Sequence, residues 1–311
     1  MTRYWPIPPN SEERPFLGAM PPFRLWPLSP QGSRMRCTGA KSSMLQDPLV
    51  RLVAEWLKHA VFPGTVPILG LSAPQGAGKT TIMAEVCGAL AEEDLNAASI
   101  SIDDFYLTRS EQIALAREYP RNPYLQQRGY PGTHDVDLGV SVLKALRMLS
   151  DGQSMKVPGY DRSAYQGLGD RSPESKWRVV TSPLHLIVLE GWMLGFTPIA
   201  RELLSDKDLV VINRALVAYQ AWHAILDGFI WLEPEDYLFV REWRVEAEER
   251  MRAEGKPCMS VDQVKAFVET FLPAYATYYP ALRTQPPTKP PHLRIVIGRD
   301  RGVKIVQPTG T

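Results

Sequence analysis

One segment of this chain, Ala73-Pro-Gln-Gly-Ala-Gly-Lys-Thr-Thr81, constrains the fold more than any other. A short apolar run, Val66–Leu71, leads into it, and a helical pattern, Thr80–Glu92, follows it. Gly76 and Gly78 allow positive φ angles, which turn successive backbone N–H groups toward one point. The partial positive charge at the N-terminus of the following helix points there too, so the segment predicts a phosphate-binding P-loop.

Individual residues of this loop have distinct predicted roles. Lys79 is expected to contact the β- and γ-phosphates of ATP, and the hydroxyl of Thr80 is expected to bind Mg²⁺. The GxxxxGK[ST] pattern has glycine where this chain has Ala73, and alanine is acceptable because that residue leaves the strand in an ordinary conformation. The predicted nucleotide-binding residues are Pro74, Gln75, Gly76, Ala77, Gly78, Lys79, Thr80 and Thr81.

Short apolar runs alternate with helical patterns along most of the chain. This alternation predicts an α/β fold of the P-loop NTPase type, with a mostly parallel sheet flanked by helices. The predicted strands are Val66–Leu71, Ala98–Ile102, His185–Leu189, Leu209–Ile212 and Phe229–Leu232. The predicted helices are Thr80–Glu92, Val136–Leu149, Leu216–Leu226 and Pro234–Ala253, after a first helical pattern that starts near Asp47.

Two further elements are predicted near the end of the chain. Ser260-Val-Asp-Gln263 resembles a capping box, which opens a helix that stops around Pro273. Leu293–Gly298 and Val303–Val306 are predicted to form a terminal hairpin.

The proline content divides the chain into an arm and a domain. Residues 1–45 are rich in proline, which predicts a flexible arm because proline interrupts helices and central strands. Residues 46–311 are expected to form one domain. A long polar insertion at 119–183 lies between the second and third predicted strands, where it is expected to overhang the carboxyl edge of the sheet and to bind a ligand.

The composition argues against several classes of protein. The net charge of +1 argues against a nucleic-acid or membrane partner, and no apolar run approaches the roughly 18 residues of a membrane span. Three scattered cysteines, Cys37, Cys87 and Cys258, indicate neither a disulfide framework nor a zinc site. We therefore expect a cytoplasmic protein, and no sequence feature indicates a protein partner.

Two acidic residues close predicted strands. Asp103 lies in Ser101-Ile-Asp-Asp-Phe-Tyr106 after the second strand, and Glu190 ends the third. The carboxyl ends of parallel strands meet where ligands bind, so we expect Asp103 to act as the base for an acceptor hydroxyl and Glu190 to hold Mg²⁺. Structural alternatives stay open: helix N-capping by the aspartates, for Asp104 above all, and a solvated strand end for Glu190.

With these motifs in place, the chain resembles the D-glycerate 3-kinase family of the phosphoribulokinase/uridine kinase-like P-loop kinases. The resemblance runs from about Pro67 to Ile297. Its motifs are Ser72–Thr81, Ser101–Thr108, Arg128-Gly-Tyr-Pro-Gly-Thr-His-Asp135, Tyr160-Asp-Arg-Ser-Ala-Tyr165, Gly169-Asp-Arg171, Leu189-Glu-Gly-Trp-Met-Leu-Gly-Phe196, Trp243-Arg244 and Gly255-Lys-Pro257.

The resemblance implies phosphorylation of D-glycerate to 3-phosphoglycerate with ATP and Mg²⁺, with Asp103 as base and Glu190 near the metal. It also implies a lid helix over the phosphates, at residues 234–256. Arg244 of that helix is predicted to stabilise the transferring phosphoryl group, and Arg241 to contact the nucleotide. The alternative for most charges of this helix is a solvated surface joined by i,i+4 pairs.

The insertion supplies a candidate acceptor site. Glycerate carries a carboxylate, so its pocket needs cationic groups or several hydrogen-bond donors. Each residue by itself is equally consistent with a surface position, and His134 with a structural pair to Asp135. As a set, the predicted acceptor residues besides Asp103 are Arg128, His134, Tyr160, Arg162 and Arg171.

Two other functions remain open at this stage. A kinase of the same architecture could take another acceptor, such as a nucleoside, pantothenate or an unassigned metabolite. A nucleotide-dependent switch could act through a partner recruited by the proline-rich arm. The acceptor-like loop argues against the switch, and the sequence does not give the oligomeric state.

Overall fold

A six-stranded sheet forms the centre of the computed structural model, which describes residues 48–59, 65–255 and 258–309. The predicted arm at 1–45 lies outside the described residues. The strands, numbered along the chain, are β1 (Ile68–Ser72), β2 (Ala97–Ser101), β3 (Ser154–Val157), β4 (Tyr160–Asp161), β5 (Asp170–Arg171), β6 (Arg178–Thr181), β7 (Leu186–Gly191), β8 (Gly228–Pro234), β9 (His292–Ile297) and β10 (Val303–Thr309).

The order of the sheet is β10-β9-β8-β1-β7-β2, and every pairing is parallel except that of β10 with β9. The three central strands β8, β1 and β7 are buried along their whole length, as expected for parallel strands covered on both faces. The helices are α1 (Pro48–His59), α2 (Lys79–Ala91), α3 (Arg109–Glu118), α4 (Val136–Arg147), α5 (Leu209–His223), α6 (Val240–Ala253), α7 (Val261–Glu269) and α8 (Leu272–Thr284).

Alternate residues of each strand feed two separate cores. Leu69 and Val188 belong to the core that contains α1 and α2, whereas Ile68 and Ile187 belong to the core that contains α4, α5 and α8. Because side chains alternate across a strand, this division holds α2, and with it the loop before α2, in a fixed position on one face.

The segment between β2 and β7 carries α3, α4 and two small hairpins, β3–β6 and β4–β5. The backbone N–H of Arg109 donates to the Asp170 carboxylate at 2.8 Å. The Arg171 guanidinium donates to the Tyr106 carbonyl at 3.0 Å, so the β4–β5 hairpin is fixed beside the end of β2.

The structure corrects several predicted elements. Leu209–Ile212 is wrong as a strand: it is the first turn of α5, which continues through the helix predicted from Leu216. Four consecutive apolar residues fit a buried strand and a buried helix equally well. Here the pattern continues as one helix of 15 residues, which is too long for a typical strand. The predicted helix Pro234–Ala253 begins later, because Pro234 still belongs to β8 and α6 starts at Val240.

The C-terminal predictions fare differently. The capping box at Ser260 is present, with Gln263 as its partner, but its helix ends at Glu269. Pro273 does not stop that helix; it lies in the first turn of α8, where a missing N–H costs nothing. The terminal hairpin forms as β9–β10. None of the helices described is long and apolar enough to cross a bilayer, and the cytoplasmic location stays a prediction.

Candidate active site

The P-loop connects β1 to α2 in the predicted strand–loop–helix arrangement. Gly76 and Gly78 have φ angles of 78° and 88°, the left-handed conformation that turns their neighbouring amides inward. The Lys79 ammonium donates to the carbonyl oxygens of Ala73 at 2.9 Å and Pro74 at 3.2 Å. Burial lowers the pKa of Lys79, although the nearby carboxylates of Glu190 and Asp103 oppose that effect.

Residues far along the chain brace this loop. The backbone N–H of Gln75 donates to the Tyr275 hydroxyl at 3.1 Å, and Arg301 donates two hydrogen bonds to the Gly76 carbonyl at 3.2 and 3.1 Å. A Cβ atom on Gly76 would lie 2.7 Å from the Trp243 backbone carbon, so α6 touches the loop directly. Sequence reasoning missed Tyr275 and Arg301 because no local motif marks them.

Arg301 also links the loop to α6. It forms an ion pair with Glu246 at 2.7 Å and lies 5.2 Å from the centre of the Trp243 ring. The Trp243 indole donates to the Arg299 carbonyl at 2.7 Å. The turn between β9 and β10 therefore holds α6 and the P-loop together, and the buried Trp243 packs between them.

Glu190 lies where three strands meet. It is opposite Leu71 of β1 on one side and Ser101 of β2 on the other, next to the last residue of β7. Burial raises the pKa of Glu190, and the charge of Lys79 opposes that rise. A buried carboxylate at the carboxyl edge, beside the P-loop lysine, agrees with its predicted position.

Asp103 and Asp104 separate into two positions on the turn Ile102–Phe105 that follows β2. Asp104 accepts the Ser101 N–H at 3.3 Å and completes a capping box, which is the structural alternative raised for it. Burial alone would raise the pKa of Asp103, but the charge of Arg162, followed by that of Lys79, leaves it lowered. Asp103 is therefore an ionised carboxylate facing the P-loop lysine.

The oxygen donors near the P-loop fit Mg²⁺. Thr80 is exposed at the start of α2, so its hydroxyl is open to a ligand, and Glu190 supplies a carboxylate nearby. Within the described ranges, no group of three or more histidine, cysteine or acidic residues could hold a metal by itself. Mg²⁺ commonly binds through one or two protein oxygens together with substrate phosphates, and this pair suits that mode.

Arg162 is the cation closest to the predicted base. Its Nη2 lies 2.6 Å from Asp103 Oδ2. Arg128 is engaged differently: it donates to the carbonyls of Gly167 and Leu168 and lies over the Tyr160 ring at 5.5 Å. It therefore anchors the tip of the β4–β5 hairpin.

The aromatic residues beside Asp103 form one stack. The Tyr106 ring lies 5.2 Å edge-on from Tyr160 and 4.3 Å from His134, and the Tyr106 hydroxyl interacts with Asp103. Tyr106 belongs to the motif that contains Asp103, but the sequence predicted no role for it. On the side away from Asp103, the Arg171 guanidinium donates hydrogen bonds to the Tyr106 carbonyl and, at 3.3 Å, to the Asp135 carboxylate. Arg171 thus supports the site from behind.

His134 is buried and its ring is neutral. The Tyr219 hydroxyl accepts the Gly132 N–H at 2.9 Å and lies 2.8 Å from His134 Nδ1, a hydrogen bond whose donor is set by the histidine tautomer. Burial lowers the pKa of His134 to about 3, which keeps the ring neutral. In the described part of the chain Nε2 has no hydrogen-bond partner. The alternative of a structural pair with Asp135 is not found, since Asp135 caps α4 and pairs with Arg171.

The two arginines of the predicted lid diverge. Arg244 pairs with the buried Glu248, and its pKa is lowered, first by burial and further by the charge of Arg162. Arg244 therefore interacts electrostatically with Asp103 and with the P-loop lysine, Lys79. Arg241 pairs with Glu269 of α7 at 2.6 Å on the exposed side. Arg244 thus forms the i,i+4 pair raised as the alternative for this helix, Arg241 forms a surface ion pair, and the predicted roles of both stay predictions.

Comparison with known proteins decides the family. Residues 68–215 match the Phosphoribulokinase / Uridine kinase family. An uncharacterized kinase, mug58, of Schizosaccharomyces pombe is 35% identical over 246 residues, which cover 75% of this chain and 88% of that protein. The chain belongs to the phosphoribulokinase/uridine kinase family.

Two similar proteins are named D-glycerate 3-kinases. The chloroplastic D-glycerate 3-kinase of Arabidopsis thaliana is 42% identical over 225 residues, which cover 71% of this chain. The chain spans 49% of the length of that relative. The structure of D-glycerate 3-kinase from Cryptococcus neoformans superposes with a TM-score of 0.72 at 27% identity, covering 84% of this chain and 97% of that one.

These relatives confirm the predicted family, and the solved structure confirms the predicted α/β fold of a P-loop kinase. The family match covers β1 to the first half of α5, so it includes the P-loop, Asp103, the insertion and Glu190. Arg244 and the turn that carries Arg301 lie beyond it.

Proposed function

We propose that this chain transfers the γ-phosphoryl group of ATP to a hydroxyl of D-glycerate, giving 3-phosphoglycerate, with Mg²⁺ as cofactor. The observation that carries the proposal is the convergence of Lys79, Asp103 and Arg162 at the carboxyl edge of β1 and β2. A phosphate-binding lysine, an ionised carboxylate and a cation for an acidic acceptor are what this reaction needs. The names of two relatives favour D-glycerate as the acceptor.

The proposed transfer is an in-line displacement. The acceptor oxygen forms a bond to Pγ while the bond from Pγ to the β–γ bridging oxygen breaks, and ADP leaves with that electron pair. Asp103 accepts the hydrogen of the attacking hydroxyl and takes its proton as the new bond forms. Lys79 and Arg244 balance the negative charge that spreads over the phosphoryl oxygens.

The remaining residues hold the two substrates in place. The P-loop amides and Lys79 bind the phosphates, while Thr80 and Glu190 are the residues that would hold Mg²⁺. Bound Mg²⁺ neutralises charge on the β- and γ-phosphates. Arg162 pairs with the acceptor carboxylate, and Tyr106 and Tyr160 form the wall beside it.

A turnover assay tests the proposal directly. ATP consumption is measured with Mg²⁺ and a panel of acceptors: D-glycerate, glycerol, uridine and pantothenate. We expect strong stimulation by D-glycerate alone, abolished in Lys79→Ala but retained in Lys58→Ala, whose lysine pairs with Glu55 and Glu93 on the surface. Stimulation by another compound would identify a different acceptor for the same phosphoryl transfer. ATP binding with no stimulation by any acceptor would contradict the kinase proposal and favour a partner-driven switch.

A further inference from the structure

The ion pair between Arg162 and Asp103 has an unusual consequence for a base. Arg162 Nη2 lies 2.6 Å from Asp103 Oδ2, which is a charge-assisted hydrogen bond. A carboxylate held by a guanidinium is a weaker proton acceptor, because the adjacent positive charge stabilises its ionised form. The ion pair therefore holds the predicted base in its least basic state.

The same arginine has most of its hydrogen-bonding capacity left. Among the described residues, Asp103 is the one hydrogen-bond and ion-pair partner of the guanidinium, which also interacts electrostatically with Tyr106, Glu190 and Asp104. A guanidinium carries five N–H donors, arranged to bind a carboxylate with two of them. The Arg162 side chain is 63% exposed, whereas that of Asp103 is 24% exposed, so a ligand from solvent reaches Arg162 first.

The backbone around Arg162 allows this side chain to change partners. Arg162 follows β4 in a hairpin whose strands contain two residues each, Tyr160–Asp161 and Asp170–Arg171. The Asp161 carboxylate holds the turn by accepting from the N–H and hydroxyl of Ser163 at 2.9 and 2.6 Å. These bonds fix the backbone, and within the described ranges the hydrogen bond to Asp103 is the one that holds the Arg162 side chain.

We propose that the Arg162–Asp103 ion pair is a latch that the acceptor opens: the carboxylate of a small hydroxy acid takes over Arg162 and releases Asp103 to act as base. This inference rests on the proposed function and extends it to substrate selection. The latch restricts phosphoryl transfer to hydroxyls that arrive with an anionic group. Water carries no such group, so ATP hydrolysis stays slow until the acceptor is bound.

The chemical step itself is unchanged by the latch. With the acceptor bound, its hydroxyl oxygen bonds to Pγ, ADP departs, and the proton passes to the freed oxygen of Asp103. In futile hydrolysis the attacking oxygen comes from water and the product is inorganic phosphate. Both reactions use the same base, so removing the latch alters the ratio between them.

Arg162→Gln tests the latch, since glutamine keeps a polar side chain and removes the charge. Three rates are measured: ATP hydrolysis without acceptor, and transfer to D-glycerate and to glycerol, which has a third hydroxyl in place of the carboxylate. We expect hydrolysis without acceptor to rise severalfold. The KM for D-glycerate rises about ten- to a hundredfold, the loss expected for a hydrogen bond between charged groups. The preference for D-glycerate over glycerol falls with it.

Two companion variants separate the latch from simpler effects. Lys176→Gln removes a positive charge from an exposed position in the same insertion and leaves all three rates at wild-type values. Arg162→Lys keeps the charge without the planar fork, and it restores slow hydrolysis more fully than it restores the KM for D-glycerate. Thermal unfolding of each variant shows that the fold is intact.

The outcomes distinguish the latch from the proposed function. If Arg162→Gln raises the KM for D-glycerate while hydrolysis without acceptor stays at the wild-type rate, Arg162 is a binding residue only and the latch is wrong. If the wild-type protein shows no D-glycerate-dependent turnover, the proposed function fails and the latch fails with it. Unchanged values of both quantities in Arg162→Gln would also overturn the latch.

Discussion

The two halves of the candidate site are built in different ways. On the nucleotide side, the phosphate cradle consists of backbone between β1 and α2, braced by Tyr275, Trp243 and Arg301 from elements far along the chain. On the acceptor side, the reactive groups are side chains on a turn and a short hairpin, and in the described part of the chain Arg162 makes one hydrogen bond, to Asp103. One half is a fixed cradle and the other can exchange contacts.

This difference matches what each half has to do. Every ATP molecule presents the same phosphates, so a rigid set of amides loses nothing by being preorganised. The acceptor must be chosen from many small hydroxyl compounds, and selection is sharper when the right ligand completes the catalytic arrangement. The predictions that follow test whether rigidity and exchange are divided between the two halves in this way.

The largest expected effect is on the acceptor side. Asp103→Asn should lower phosphoryl transfer by about 10²- to 10⁴-fold, because a general base of this kind contributes that factor. The KM for ATP should change little, since the P-loop bonds do not involve Asp103. Steady-state kinetics with varied ATP and varied D-glycerate measure both quantities.

The neighbouring residue provides the matched control. Asp104→Asn keeps an oxygen that can accept the Ser101 N–H, so turnover should remain near the wild-type rate. Transfer at a near-wild-type rate in Asp103→Asn would remove Asp103 from the role of base and would leave the acceptor side without an identified proton acceptor.

The nucleotide side should fail through its backbone. In Gly76→Ala the new Cβ meets the Trp243 backbone at 2.7 Å, and φ of +78° disfavours any side chain. Displacing the loop by about 1 Å lowers kcat/KM for ATP on the order of a hundredfold, mainly through an increase in KM. Nucleotide titration and kinetics check the result.

Gly88→Ala in the middle of α2 is the contrasting substitution. Nothing lies within 4 Å of the added methyl group, so the variant should keep full activity. Its free energy of unfolding should rise by about 0.5–1 kcal/mol, because alanine favours a helix interior over glycine. Equal loss of activity in both variants would show that the P-loop is not the rigid half.

The same contrast explains how much of the molecule was predictable from sequence. Local sequence patterns predict the P-loop, the parallel sheet and the strand-end positions of Asp103 and Glu190. These predicted elements and positions agree with the structure. The first turn of α5 was predicted as a strand, because Leu209-Val-Val-Ile212 lacks a decisive period.

Other features depend on contacts between distant segments. α8 was missed because Pro273 and Pro280 obscure its helical pattern. Tyr275 and Arg301 contact P-loop residues that lie 200 and 225 positions earlier in the chain. The pairing of Arg162 with Asp103 likewise spans 59 positions, so a motif identifies both residues and the tertiary structure alone joins them.

The bracing of the P-loop by the β9–β10 turn is open to a milder test. Arg301→Gln removes the charged donor to the Gly76 carbonyl and should raise the KM for ATP about tenfold, with a smaller change in kcat. Arg299→Gln is its control, since Arg299 lies on the same turn and pairs with the exposed Glu242. An equal rise in both variants would assign the effect to the turn as a whole and not to the contact with the loop.

The smallest effect concerns pH and the acceptor side. His134 has a pKa of about 3 in the folded protein against an ordinary value near 6.5, so below pH 6.5 the unfolded chain binds a proton that the folded chain does not. The stabilisation from neutral His134 is therefore complete above pH 6.5 and is lost as the pH falls, by about 1.4 kcal/mol per pH unit.

His134→Gln should remove this contribution. The difference in unfolding free energy between wild type and variant should shrink between pH 7 and pH 5, as measured by urea denaturation. A constant difference would mean that His134 is not held neutral by its burial against Tyr106 and Tyr219, and that the acceptor side is looser than its aromatic stack indicates.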